Sequence, residues 1–236
     1  MKTWTTKNNL TITRILSGRC NCFLISHHNR FLLVDTSRTN KWHVLQNRLE
    51  QLGLNANSII AVILTHSHFD HAENAANLKA QLGAKVIIHR NEAEFLERGD
   101  NPAITGNNFI TRRITDLATK LKFLERVRFQ PVTPDILVNE HYDLNELGFP
   151  GHLLHTPGHT PGSMSVIVDD EIAIVGDTMF GVFPGSVFPP YAENPGEMVR
   201  SWQRLLDSGC SLFLPAHGSE RNREALRKEF EKKRKK

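Results

Sequence analysis

Residues 65–71 read Thr-His-Ser-His-Phe-Asp-His, so four metal-capable side chains, His66, His68, Asp70 and His71, fall within six residues. They follow an apolar run, Ile59 to Leu64, that reads as a buried strand, and they precede a segment rich in helix formers. Extended backbone puts the imidazoles of His66 and His68 on one side, because side chains alternate along a strand with a period of two. Asp70 and His71 then turn toward the same space as the helix begins. Three more polar residues follow strand-like runs in the second half: His159 within Thr156-Pro157-Gly158-His159-Thr160-Pro161-Gly162, Asp177 after Ile172 to Gly176, and His217 after Leu212 to Ala216. Five imidazoles and two carboxylates, all on loops, suit zinc, with iron and manganese as alternatives.

The elements that must position these groups can be read from periodicity. Leu10 and Ile12, Cys22 to Ile25 and Phe31 to Val34 predict strands, with a turn at His28-Asn29. Trp42, Leu45, Leu49 and Leu52 recur at helical spacing before Gly53, and Ala72 to Leu82 predicts a second helix ending at Gly83. Lys85 to His89 reads as the next strand. Residues 91–130 form a helical insertion, in which Ile110, Ile114, Leu117, Leu121 and Leu124 keep one apolar stripe. Core contact is the expected use of that stripe, although a lid shaped by Phe109, or a homodimer face, would show the same pattern. Strands are predicted at His152 to His155, Ser163 to Val168 and Ile172 to Gly176, with a turn at Asp169-Asp170. A helix capped by Asn194-Pro195 runs to Gly209, Leu212 to Leu214 is a short strand, and residues 221–236 form a basic terminal helix. Each half is strand-rich and then helical, which suggests two sheets face to face with helices outside.

At 236 residues with 39% apolar and 23% charged content, the chain 1–236 is expected to form one domain around a sizeable core. Disordered, collagen-like and disulfide-scaffold classes are excluded by composition. The formal charge is +4, but residues 221–236 hold nine Lys/Arg against three Glu, leaving the remainder at −2. The basicity therefore belongs to the tail and argues against a nucleic-acid partner. No run is apolar and long enough to span a bilayer, the N-terminus lacks the apolar core of a signal peptide, and three cysteines cannot all pair; a cytoplasmic protein with reduced thiols and no membrane contact is expected. Cys20-Asn21-Cys22 is too tightly spaced for a zinc clip and is expected to pack in the core. His27, His28 and His43 read as surface or turn residues, His152 and His155 as packed strand residues, and His89 as a weak candidate for substrate contact.

His66-Ser67-His68-Phe69-Asp70-His71, the loop around His159, Gly176-Asp177 and Pro215-Ala216-His217-Gly218 together resemble the metallo-β-lactamase-fold superfamily of metal-dependent hydrolases, with the same motif order across roughly residues 10–220. The resemblance implies an α+β fold, an αβ/βα four-layer sandwich with metals at one edge. It assigns His66, His68 and His159 to one metal, Asp70, His71 and His217 to a second, and Asp177 to both. Two zinc ions, with iron or manganese as substitutes, would hold a bridging hydroxide that attacks a small-molecule substrate. Asp70 would also be catalytic, orienting the nucleophile and passing its proton to the leaving group. Asp35 matches an acidic position that supports a ligand histidine.

The complete ligand set looks like the glyoxalase II, lactonase and ribonuclease Z branches; true metallo-β-lactamases lack the bridging aspartate. About twenty residues follow His217, too few for the helical domain by which glyoxalase II grips glutathione. Phe180 stands where acyl-homoserine lactonases carry a tyrosine, and no Gly/Pro-rich arm for transfer RNA is evident. The expectation is a dinuclear metal-dependent hydrolase of a small ester, thioester or lactone. A phosphodiesterase or ribonuclease, or a non-catalytic metal-binding sensor, is the alternative.

Overall fold

Side chains along the central strands sort into two faces, and the sorting defines the layers. The structure, a computed structural model, describes residues 1–55, 57–107, 109–123 and 127–234. Strands β1 (Lys2–Thr5), β2 (Thr11–Leu16), β3 (Cys22–His27), β4 (Arg30–Val34), β5 (Ile59–Ile63), β6 (Lys85–His89) and β7 (Ile136–Val138) form one sheet in spatial order β1-β2-β3-β4-β5-β6-β7. The first four pair antiparallel and the last four parallel. The second sheet has the order β13-β12-β11-β10-β9-β8, from β8 (His141–Asp143), β9 (Gly151–His155), β10 (Met164–Val168), β11 (Ile172–Gly176), β12 (Leu212–Pro215) and β13 (Arg221–Asn222).

Phe23, Ile25, Leu32, Val34, Ala61, Ile63 and Ile87 meet Val166, Ile174 and Leu214 between the sheets. The alternate residues Leu24, Leu33, Val62 and Val86 pack against an outer layer that contributes Leu45, Leu49, Leu78 and Leu96. These come from α1 (Trp42–Gln51), α3 (Ala75–Leu82) and α4 (Arg90–Arg98). On the far side Ile167, Ala173, Val175 and Phe213 pack against Met198, Trp202, Leu205 and Leu226 of α6 (Pro195–Asp207) and α7 (Arg223–Lys233). The period of two in the strands therefore gives each sheet two buried faces, and the four-layer αβ/βα sandwich follows. Two hairpins set register with left-handed pairs, His28-Asn29 and Asp169-Asp170, all at positive φ.

Several expectations are corrected. The helix expected over Ala72 to Leu82 is broken into α2 (Phe69–Ala72) and α3. The Thr36 amide and hydroxyl both donate to the His71 carbonyl, and the buried Asn74 side chain donates to the carbonyls of Thr36, Ser37 and Arg38. Those bonds divert the helical ladder at this point. Residues 91–130 do hold helices, α4 and α5 (Phe109–Lys120), but the stripe on α5 is not core. Ile110, Ile114, Leu117 and Leu121 are 70%, 52%, 57% and 55% exposed, and Leu124 lies outside the described residues. An apolar period shows that a helix has a face, not what the face meets. The basic tail begins as an edge strand at Arg221–Asn222, and its helix buries Leu226 against α6. The short strands β1, β7 and β8 carry no period that marks them in the sequence.

Candidate metal centre

The parallel strand β5 ends in a turn that delivers His66, Ser67 and His68 to the edge between the sheets, and α2 then presents Asp70 and His71. Loops after β9, β11 and β12 bring in His159, Asp177 and His217. The structure places all seven residues in one cluster. His66 Nε2 and His159 Nε2 stand 2.9 and 3.0 Å from His68 Nδ1, so three imidazole nitrogens converge without a carboxylate among them. Asp70, His71 and His217 form a second set whose donor atoms lie within 4.8 Å of one another. Asp177 sits between the sets: Oδ2 is 3.6 Å from His159 Nε2, while Oδ1 is 3.2 Å from His217 Nε2 and 3.6 Å from His71 Nε2.

Supporting bonds fix the orientation of these rings. Asp35 accepts from the Thr65 amide at 2.9 Å and from the Thr65 hydroxyl, and its Oδ2 is 2.9 Å from His71 Nδ1, leaving His71 Nε2 aimed into the cluster. His159 Nδ1 is turned to the Tyr191 carbonyl at 3.1 Å, which frees Nε2 in the same way. Gly176, at φ +50°, is required by close packing, because a Cβ there would stand 2.6 Å from Thr65 Oγ1. The Cys20 sulfur lies 3.7 Å from His71 Nδ1, so Cys20 backs a ligand-type histidine as well as packing. All three cysteines are buried and none is bridged.

The electrostatics divide the two sets. Burial holds the His66 and His68 imidazoles well below the ordinary histidine range, and neighbouring imidazoles, led by His71 for His66 and by His159 for His68, push further the same way. Burial also lowers His159. These rings stay neutral, with lone pairs available. At His71 burial is outweighed by Cys20, Asp35, Asp177 and Asp70, and at His217 chiefly by Asp177, so both sit above the ordinary range. Asp177 is held far below the usual carboxylate range, His217 and His71 overcoming its burial.

The donor set fits divalent cations. His71 Nε2 and Asp177 Oδ1 are buried with no hydrogen-bond partner among the described residues, a costly state that a cation between them would relieve. Neutral imidazoles on one side and carboxylates calling for positive charge on the other are what such cations require.

One supporting residue was missed in the sequence. Glu92, fully buried on α4, accepts from the Ser67 amide and hydroxyl and from the Gly162 amide. It ties the turn bearing His66 and His68 to the loop bearing His159, and a Cβ on Gly162 would stand 2.5 Å from its Cγ. In sequence Glu92 is one of several charged residues on an amphipathic helix, and no local signal marks it. His89 is corrected: it does not line the cleft. It is buried, stacked on His155 at 4.0 Å, and its Nδ1 accepts from the Asn91 amide at the start of α4; burial pushes its pKa down to about 4. His155 Nε2 reaches the Pro161 carbonyl at 2.9 Å, steadying the His159 loop rather than a ligand ring. His152 stacks on His141, and His28 and His43 are exposed.

The sequence profile of the metallo-beta-lactamase superfamily matches residues 17–217. The uncharacterized protein YobT of Bacillus subtilis is 27% identical over 226 residues, 88% of this chain and 89% of its own. Hydroxyacylglutathione hydrolase GloC of Haemophilus influenzae is 25% identical over 73% of this chain and 72% of its own. The solved structure of metallo-beta-lactamase family protein TTHA1429 from Thermus thermophilus superposes with a TM-score of 0.65 at 22% identity, covering 98% of this chain and 76% of that one.

Proposed function

The chain belongs to the metallo-beta-lactamase superfamily, and from that premise we propose that it is a dinuclear metal-dependent hydrolase of a small ester, thioester or lactone. The observation that carries the proposal is Asp177, whose two oxygens face separate three-residue donor sets. His66, His68 and His159 would hold one cation and Asp70, His71 and His217 the other, with Asp177 shared. Zinc suits the imidazole and carboxylate mixture, with iron or manganese as substitutes. Cations bound there supply Lewis acidity, polarising a carbonyl oxygen and making water acidic enough to ionise near neutral pH.

The chain's own residues do the rest. Asp35 and the Tyr191 carbonyl hold His71 and His159 in their donor rotamers. Asp70 lines the cleft, with its Oδ2 3.6 Å from His217 Nε2, and is placed to take a proton from the attacking water and pass it to the departing oxygen or sulfur. Phe69 and Phe180 wall the cluster and limit its contact with bulk water. The relationship to hydroxyacylglutathione hydrolase GloC supports acyl chemistry, and three buried, unbridged cysteines suit the cytoplasm.

The test is a comparison of initial rates for 4-nitrophenyl esters, S-lactoylglutathione and bis(4-nitrophenyl) phosphate with one zinc-loaded preparation and a chelated blank. Turnover of an ester or thioester that exceeds phosphodiester turnover and vanishes in the blank is expected. A phosphodiester rate above both would overturn the acyl assignment.

A further inference from the structure

The donor cluster forms the floor of a cavity of about 300 Å³ whose walls are mostly hydrocarbon. Phe69 and Phe180 flank the floor, and Ile104, Ile114, Ala118 and Phe123 rise above it. Among the described residues lining the cavity, Arg19 at the rim is the one lysine or arginine.

The apolar wall is held in place, not loosely draped. The Asn107 amide donates to the Pro190 carbonyl, the Ala192 amide to the Thr105 carbonyl, and the Asn107 side chain to the Pro189 carbonyl. These bonds moor the start of α5 to the loop that carries Tyr191, whose carbonyl orients His159. Thr115, buried on the inner side of α5, donates from Oγ1 to the Arg112 carbonyl. The ring of Phe123 meets Phe69 edge-on at 6.4 Å, which joins the wall to the residue preceding Asp70. Even so, Ile114 and Phe123 remain 52% and 44% exposed on the cavity side of this segment. Apolar surface left open beside a reactive centre is surface that a hydrocarbon ligand would remove from water.

We propose that this cleft selects substrates with an apolar acyl group, whose carbonyl faces the donor cluster and whose chain lies on Ile104, Ile114, Ala118 and Phe123. The inference rests on the hydrolase assignment above and adds the substrate class. Away from the clustered histidines and aspartates, a strongly polar acyl or thiol portion with several charges finds one guanidinium, two threonines and a tyrosine, and otherwise hydrocarbon. Each methylene seated on the wall contributes ~0.8 kcal/mol, or about fourfold in kcat/KM while the chain still fits.

Two measurements test it together. The first is kcat/KM of the zinc-loaded protein for 4-nitrophenyl acetate, butyrate, hexanoate and octanoate. The second is calorimetric titration of octanoate and acetate into metal-free protein. The proposal expects rates that climb with chain length, and octanoate binding with a negative heat-capacity change where acetate gives none. Ile114→Ser lowers the octanoate-to-acetate ratio and weakens octanoate binding, whereas Leu117→Ser, on the same helix but outside the cavity, leaves both as they were. Ester hydrolysis with no dependence on chain length, and no octanoate binding, would overturn the apolar subsite while the hydrolase assignment stands. Octanoate binding that Ile114→Ser weakens, with no ester turned over at any length, would support the subsite and sink the hydrolase assignment.

Discussion

The turn from Thr65 to His71 and the helix α5 lie on the same cleft but are built in opposite ways. Along the turn a partner from elsewhere in the fold fixes each supporting group: Asp35 receives Thr65 and His71, Glu92 receives Ser67, Asn101 receives the Phe69 amide, and Thr36 donates to His71. His71 Nε2 is left facing the cluster, and His68 Nε2 is likewise unpartnered among the described residues. Around α5 the moorings hold one end and the inner face, while Ile110, Ile114, Leu117 and Leu121 meet solvent. The contrast separates two tasks. Reactive groups need fixed geometry, which buried hydrogen bonds supply. A surface that distinguishes substrates can be a peripheral helix whose residues change without disturbing the core.

That division is most easily broken at Asp177. Asp177→Asn should lower kcat/KM by at least about 10²-fold, because the shared charge is worth several kcal/mol at a dinuclear site. Metal analysis of the same variant should show fewer than the wild-type number of ions, with circular dichroism unchanged. A variant of near wild-type activity would remove Asp177 from the centre.

The next largest effect is expected at Glu92. Glu92→Ala leaves the Ser67 and Gly162 amides buried without an acceptor, costing ~1–3 kcal/mol for each and weakening metal affinity about 10–100-fold. Glu92→Gln, which retains one oxygen, should recover part of both. Thermal unfolding and competition with a chelator read the two quantities separately, and a loss of stability with metal affinity intact would make Glu92 purely structural.

His89 provides a pH test away from the cluster. Its pKa is about 4 in the folded protein, below the ~6.5 of an exposed histidine, so the unfolded chain takes up a proton first as pH falls. The stability it contributes is complete above about pH 6.5 and is lost progressively toward pH 4, by up to ~3 kcal/mol. His89→Gln should flatten that part of the stability profile relative to wild type in urea melts. Parallel profiles would show that His89 titrates normally. The smallest effect belongs to the outer face of α5: Leu117→Ser should change stability by less than ~0.5 kcal/mol, as exposed positions do, and a larger drop would mean that the stripe is covered in solution.

The seven clustered residues were legible because metal-capable side chains at close spacing leave a dense local mark. His66 to His71 lie within six residues, and His159, Asp177 and His217 each follow a recognisable apolar strand. The layers were legible because the unbroken apolar runs of β3 to β6, which suit strands covered on both faces, and the helical spacing in α1 and α6 agree with the faces they bury. Glu92 was hidden because its partners, Ser67 and Gly162, are distant in sequence and a buried acid on a helix is spelled like an exposed one. The break between α2 and α3 was hidden for a related reason, since Asn74 and Thr36 meet only through the fold. Strands β1, β7 and β8 are three or four residues long, too short for a period to register. On α5 the period was right and the inferred burial was wrong.

Hydrolysis is proposed to depend on two cations held by two three-residue donor sets that Asp177 joins. Metal-to-protein ratio by elemental analysis, followed through a chelator titration with ester hydrolysis measured on the same samples, tests that dependence most directly. Two ions per chain are expected in the active protein, with activity that falls as they are withdrawn and returns when they are restored. A ratio of one or less in fully active protein, or hydrolysis that persists after both ions are gone, would contradict it.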